Sequence, residues 1–282
     1  MVEFVDREGE RGVTHSLRTF SAGNLRVNTP TFADSVELFF DLLDRGETGY
    51  LAFLAAHSVT WSRRDPEFSH ILNNAIMALP DGAPLRWLGR ISGHRNIERV
   101  TGPEFFEAVI KDPRSAARRH FFYGTTDENL KTLRERVASH VGREAIAGCY
   151  SPPIRGVGEK ESQEVIRAID DSRPDIVWVG LSTPKQEYWL FHHLQQFNRP
   201  TIGVGIGAAF DFFTGRVRRA PALLQRTGLE WLFRVSQEPR RLAPRYLQAA
   251  PILLDMLVSA FWSTRVIRRA PSASEPRNYL KP

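Results

Sequence analysis

At 282 residues the chain is long enough to bury a full core, as one large domain or one domain with an appendage. Its net charge of +6 and pI near 9.8 favour an anionic partner: nucleic acid, a phosphorylated substrate or acidic lipid. An ordinary globular composition excludes global disorder, and the single Cys149 excludes an internal disulfide and a cysteine-built zinc site, which suits a reducing cytoplasm.

The start, Met1-Val-Glu-Phe-Val-Asp, is charged and lacks the apolar core of a secretion signal, and residues 1 to about 30 predict no firm element. A helix is expected after Thr31, with Val36, Leu38, Phe39, Leu42 and Leu43 on one side. The apolar run Tyr50-Leu-Ala-Phe-Leu-Ala55 reads as a buried strand, followed by a helix over 66–78 and a loop, Leu79-Pro-Asp-Gly82. Pro103 suits the first turn of another helix. His120-Phe-Phe-Tyr123 reads as a strand, 127–140 as a helix, 145–149 as a weak strand and 159–170 as a helix. A strand over 175–179, a helix over 184–195 and a strand over 201–204 complete the series. Such alternation predicts an open parallel sheet with helices on both faces, whose ligands sit beyond the carboxyl ends of the strands. Asp81, Gly124, Gly180 and Gly205 all fall at or after strand or helix ends, where loops carry chemistry.

Past about residue 229 the pattern changes to arginine-rich helices. The expected division is a catalytic core over 1–228, a helical appendage over 229–271 and a disordered tail over 272–282. No apolar run reaches the roughly 20 residues that span a bilayer. The last helix joins Leu253, Leu257, Phe261 and Trp262 to Arg265, Arg268 and Arg269, which suits the edge of an anionic membrane, or else a core or dimer helix.

Several groups of residues carry chemistry, each with a plainer reading beside it. Asp81 in Pro-Asp-Gly is either turn chemistry or a general base held on a stiff loop. Gly180-Leu-Ser-Thr-Pro-Lys-Gln-Glu is either a helix capped by Thr183, with Pro184 at its first position, or a helix N-terminus that turns Lys185 and Gln186 to an anion. The glycines at 203, 205 and 207 either let backbone approach a ligand or form a weak fragment of a dinucleotide fingerprint. Asp211, among Phe210, Phe212 and Phe213, is a buried hydrogen-bonded group or a site residue. His57 is a satisfied, partly buried histidine or a substrate contact. The eight histidines show no close metal pair. Neither a metal nor a cofactor is expected. Arg234, Arg240, Arg241 and Arg245 are a solvated face or a counter-charge.

In combination these residues resemble a known family. Pro80-Asp-Gly82, Arg99 with Gly102, Pro184-Lys-Gln-Glu187, Gly205 through Gly215, Arg219-Ala-Pro221, Gly228-Leu-Glu-Trp231 and Glu238-Pro-x-Arg241 with Arg245-Tyr246 are similar to the WecG/TagA/CpsF family of bacterial glycosyltransferases, over residues 30 to about 250. The resemblance implies a Rossmann-like core that moves a sugar from a UDP-sugar to a polyprenyl-diphosphate-linked saccharide. It implies an inverting, metal-independent reaction on the inner face of the cell membrane, with a C-terminal appendage that meets the anionic surface. It puts the catalytic aspartate on Asp81, substrate arginine on Arg99, ligand-facing glutamine on Gln186 and diphosphate-reaching arginines on Arg234, Arg241 and Arg245. Where the family usually has Thr-x-Asn, this chain has Ala55-Ala-His57, which puts N-acetylmannosamine as the donor in doubt and makes His57 a candidate shaper of the donor pocket.

Two rivals stand beside this reading. A nicotinamide oxidoreductase would use the glycine run, but no full fingerprint opens the chain. A nucleic-acid binder would use the positive charge, but no binding motif accompanies it, so nucleic acid is not expected as a partner. A homo-oligomer stays open.

Overall fold

The computed structural model describes residues 18–154 and 156–221; beyond them it describes 224, 230–237 and scattered positions from 240 to 258. Six strands form one parallel sheet: β3 (Gly49–Leu54), β4 (Met77–Pro80), β5 (His120–Gly124), β6 (Ile146–Tyr150), β7 (Ile176–Gly180) and β8 (Ile202–Gly205), in spatial order β4-β3-β8-β7-β5-β6. The expected α/β class is therefore what forms. Both faces of the sheet are covered, which explains why the strands read as unbroken apolar runs. Within β3 and β7, Tyr50, Ala52, Leu54, Val177 and Val179 serve one core, while Leu51, Phe53, Ile176 and Trp178 serve the other.

The second core is aromatic. It is built with α1 (Phe32–Asp44), α5 (Gly102–Lys111), α6 (Asp127–Val141) and α9 (Ala209–Phe213). Phe39, Phe105, Phe106, Trp178 and Phe210 are almost wholly buried there, and Phe106 meets Trp178 edge-on at 4.9 Å. Each such side chain contributes roughly 1.5–3 kcal/mol by leaving water. The first core is covered by α2 (Ala56–Ser62), α3 (Pro66–Asn73), α4 (Ala83–Ile91), α7 (Gln163–Asp171) and α8 (Lys185–His193). Caps set the helix starts: Thr31 and Asp34 close a capping box on α1, and Thr101, Thr126 and Ser162 each accept an amide of the first turn.

Three differences from the sequence reading bear on the site. The helix expected over 66–78 ends at Asn73, and 77–80 is the edge strand β4. A short apolar run reads either way, and pairing with β3 decides it, beginning where the Ile76 amide donates to the Tyr50 carbonyl at 3.0 Å. Residues 19–28 form a hairpin, β1 (Thr19–Ala22) with β2 (Leu25–Asn28). Its Asn28 side chain accepts the Ala78 amide at 2.6 Å and so occupies a backbone donor of the edge strand. Finally, α2 and α4 start immediately beyond β3 and β4, where no helix was expected.

Residues 230–237 form α10 (Glu230–Gln237), which carries Arg234, whose side chain lies outside the described residues, as do Arg241, Arg245, Trp262 and the tail. Met256 is buried and Ile252 packs against the first core, while Asp255 comes within 3.9 Å of Arg63. That stretch therefore has a core-facing side, with Leu254 and Val258 exposed. Among the described residues no helix is long and apolar enough to cross a membrane.

Candidate active site

The carboxyl ends of the strands collect most of the expected residues. Asp81 follows β4 directly. Its amide donates to the Leu54 carbonyl at 2.9 Å, and its side chain is half-buried. Gly82 lies against the Ala55–Ala56 backbone, so the Asp81 loop and the segment carrying His57 are neighbours. His57 sits in the first turn of α2, half-buried. The Val100 amide donates to the Pro80 carbonyl at 2.9 Å, which brings Arg99 beside the same strand end. Arg99 Nη2 is 3.3 Å from Glu104 Oε1, and Arg219 Nη2 donates to that same oxygen at 2.9 Å. Glu104 itself accepts from Thr101 Oγ1 at 2.9 Å. One carboxylate thus holds two guanidinium groups together. Gly102 is packed against the Ile206 backbone, which ties this group to the end of β8.

Gln186 does something other than the sequence suggests. Its side chain is 3% exposed. Its amide nitrogen donates to the Gly205 carbonyl and to Glu187 Oε1, both at 3.0 Å, and its oxygen accepts the Gly207 amide at 2.8 Å. Gln186 fastens the β8 turn to the start of α8. Thr183 does not cap α8: Pro184 holds the cap position after a cis peptide bond, and Thr183 Oγ1 donates to Glu187 Oε1 at 2.8 Å. Glu187 Oε2 is buried without a hydrogen-bond partner. Burial pushes this carboxyl up to about 7, against the pull of the Thr183 and Gln186 hydrogen bonds.

The glycines owe their identity to packing. A side chain at Gly124 would meet the Gly180 backbone at 2.8 Å, one at Gly180 the Phe210 ring at 2.6 Å, and one at Gly203 the Leu190 side chain at 2.3 Å. Gly205 faces Gln186 at 3.1 Å. Protein atoms, not a ligand, demand the missing Cβ at these positions, which removes the main support for a dinucleotide fingerprint. Thr125 and Ser182, just beyond β5 and β7, take left-handed φ of 56° and 68°, a strain of the kind found where a loop is held for function.

A hollow of about 300 Å³ opens past β5 and β7, lined by Tyr123, Thr125, Gly180, Lys185 and Trp189, with Pro152 and Lys160 from the loop after β6. Tyr123 and Trp189 rings lie 4.4 Å apart, and the buried Tyr123 hydroxyl donates to Glu161. Asp211 accepts from Asn129 Nδ2 at 2.9 Å and lies 3.7 Å from Arg216, so it is hydrogen-bonded yet part-exposed at the sheet's end. The sequence reading missed Glu104, Glu187 and Asn129 as organisers; the Thr101-x-x-Glu104 spacing was the one visible signal. Among the described residues no three His, Cys, Asp or Glu side chains gather as metal ligands do.

A carboxylate, arginines and an aromatic hollow beyond the carboxyl ends of an open parallel sheet define an α/β protein that binds and acts on a small ligand. The chain belongs to the glycosyl transferase WecG/TagA/CpsF family, whose model matches residues 20–266. It is 30% identical over 178 residues to the N-acetylglucosaminyldiphosphoundecaprenol N-acetyl-beta-D-mannosaminyltransferase of Bacillus spizizenii, a match covering 63% of this chain and 67% of that protein. The protein of the same name from Staphylococcus aureus (strain MW2) is 23% identical over 202 residues, covering 72% of this chain and 76% of its own. The chain is a glycosyltransferase, and the oxidoreductase and nucleic-acid readings fall away.

Proposed function

We propose that this enzyme transfers a hexose or N-acetylhexosamine from a UDP-sugar to a lipid-diphosphate-linked saccharide in cell-surface glycan synthesis, with inversion and with Asp81 as the base. The observation that carries this is the Asp81 loop, fixed to the end of β3 and joined there by His57 and Arg99. The names of the relatives support the acceptor class, since both act on a diphosphoundecaprenol-linked sugar.

In this reading Asp81 takes the proton of the acceptor hydroxyl as that oxygen attacks the anomeric carbon from the face opposite UDP. The hollow by Tyr123 and Trp189 suits the nucleotide, with Lys185 and Thr126, the cap of α6, on its lining for the diphosphate. Charge that grows on the departing diphosphate is met by arginine and by helix N-terminal amides, with no resident metal. Arg234, Arg241 and Arg245 are candidates for part of that counter-charge, and the appendage for docking on the inner membrane face. Gln186 acts by holding the Gly205–Gly207 turn rather than by reaching for the sugar. His57, in place of the asparagine that the family pattern has there, shapes the donor pocket. A panel of UDP-sugars with a short-chain lipid-diphosphate N-acetylglucosamine acceptor, read as UDP release, tests the reading. Release that requires the acceptor supports it; no acceptor-dependent release from any donor contradicts it.

A further inference from the structure

Helix α4 leaves Asp81 through Gly82 and turns one side outward. Leu85, Leu88 and Gly89 pack inward, while Trp87 is 48% exposed, Arg90 is exposed, and Arg86 and Ile91 are half-buried. The Arg86 Nε atom is buried without a hydrogen-bond partner. Partial burial lowers the proton affinity of Arg86, and the like charges of Arg90 and Arg99 add to that against the pull of Glu98. Through Arg99 the group continues to Glu104 and Arg219. Arg86, Arg90, Arg99 and Arg219 therefore form one basic group, with Glu98 and Glu104 among its carboxylate neighbours. An uncompensated guanidinium held this way is poised for an anion with several oxygens.

The sheet order says which anion. Asp81 stands at the end of the edge strand β4. The hollow suited to the nucleotide lies past β7 and β5, across β3 and β8 from it. Helix α4, which carries Arg86 and Arg90, packs on the edge strand β4 and the hairpin strand β1, at the end of the sheet away from that hollow. In an inverting displacement the attacking hydroxyl lies between its base and the anomeric carbon, so the acceptor reaches the donor from the base's side, and the α4 side is the acceptor's. We propose that Arg86, flanked by Arg90 and Arg99, binds the diphosphate of the acceptor, and that the exposed Trp87 meets the first units of its isoprenoid chain. This rests on the lipid-linked acceptor reading above and adds its phosphate subsite.

Farnesyl diphosphate, which carries the isoprenoid diphosphate but no sugar, is a suitable probe because its binding needs no turnover. Calorimetry on the full chain should show that Arg86→Gln weakens it about tenfold or more, the loss of a charged hydrogen bond, while Arg86→Lys loses less. UDP binding should stay within about twofold, and co-sedimentation with phosphatidylglycerol vesicles should not change. Arg90 is exposed, so Arg90→Gln keeps the fold and should weaken the probe about threefold even if Arg86→Gln folds poorly. The proposal is overturned if wild type does not bind the probe, if it binds the wild type and both glutamine variants equally, or if UDP affinity falls in parallel, which would make this donor machinery. Loss of vesicle binding with unchanged probe affinity would make it a membrane-surface patch instead. Failure of the UDP-sugar assay with intact probe binding would sink the transferase reading and leave the subsite standing.

Discussion

The Asp81 amide donates to the Leu54 carbonyl at 2.9 Å, one residue past the Leu54–Pro80 pair that ends the β3–β4 ladder. The Asp81 loop is thus an extension of the sheet, not a free turn. Its backbone is fixed by the same bonds that fix the core, and Pro84 stiffens the helix start beyond it. A carboxylate placed so keeps its position without a substrate to order it.

His57 lies in the segment that touches this loop. His57→Asn should change the relative rates among UDP-sugars by about tenfold or more, with little change in melting temperature. A donor profile identical to wild type would make His57 a packing residue.

Glu187 gives a pH signature. Its folded pKa, about 7, lies above the ordinary 4.5, so the folded state holds the proton longer than the unfolded one. The stability this contributes is fully present below about pH 4.5 and is lost as pH rises through 7. Glu187→Gln keeps an oxygen for Thr183 and Gln186 and removes the titration. Relative to wild type, the variant should gain stability between pH 5 and pH 8, on the order of 1 kcal/mol or more. A gap that does not move with pH would contradict the burial argument.

His120 gives the opposite sign. It is buried, takes the Trp178 indole N–H on Nδ1 at 3.1 Å, and sits 3.0 Å from the Ser115 carbonyl through Nε2. Burial pulls it down to about 4 from 6.5. Its contribution is complete above pH 6.5 and is lost as pH falls toward and through 4. His120→Phe should flatten the acid limb of stability across that range, whatever it costs at neutral pH. An unchanged slope in urea unfolding from pH 6.5 to 4 would show that other groups carry it.

The appendage reading predicts co-sedimentation of the intact chain with phosphatidylglycerol vesicles at low salt and release at high salt. Truncation before Trp231 should abolish this and turnover on a lipid acceptor. Because Met256 is buried against the core, the truncated protein should also lose stability, by roughly 2–5 kcal/mol if Met256 behaves as a core deletion. Full activity of the truncated chain would leave the segment a packing element only.

The parallel sheet was legible because β3, β5, β7 and β8 are buried on both faces and read as apolar runs between helical patterns. β4 was not, because 66–78 reads as one helix before the Leu79-Pro80 loop, and only the pairing with β3 shows the strand over 77–80. The hairpin was invisible because its Leu25, Val27 and Phe20 alternate with polar residues over four-residue strands. Asp81 and Arg99 stood out by motif, and the structure brings their backbones to the same strand end, while their roles remain proposals. The sequence turned Gln186 toward a ligand, and nothing local reveals that its amide bonds to Gly205 and Gly207 instead. The arginine pair on Glu104 joins positions 115 residues apart and needed the fold to appear.

The central claim is that Asp81 removes the acceptor proton. The direct measurement is steady-state transfer by Asp81→Asn with a UDP-sugar that the wild type uses, alongside UDP affinity. The account predicts a fall in kcat on the order of a hundredfold or more with UDP affinity nearly unchanged. Near-normal turnover, or a loss explained wholly by weaker donor binding, would contradict it.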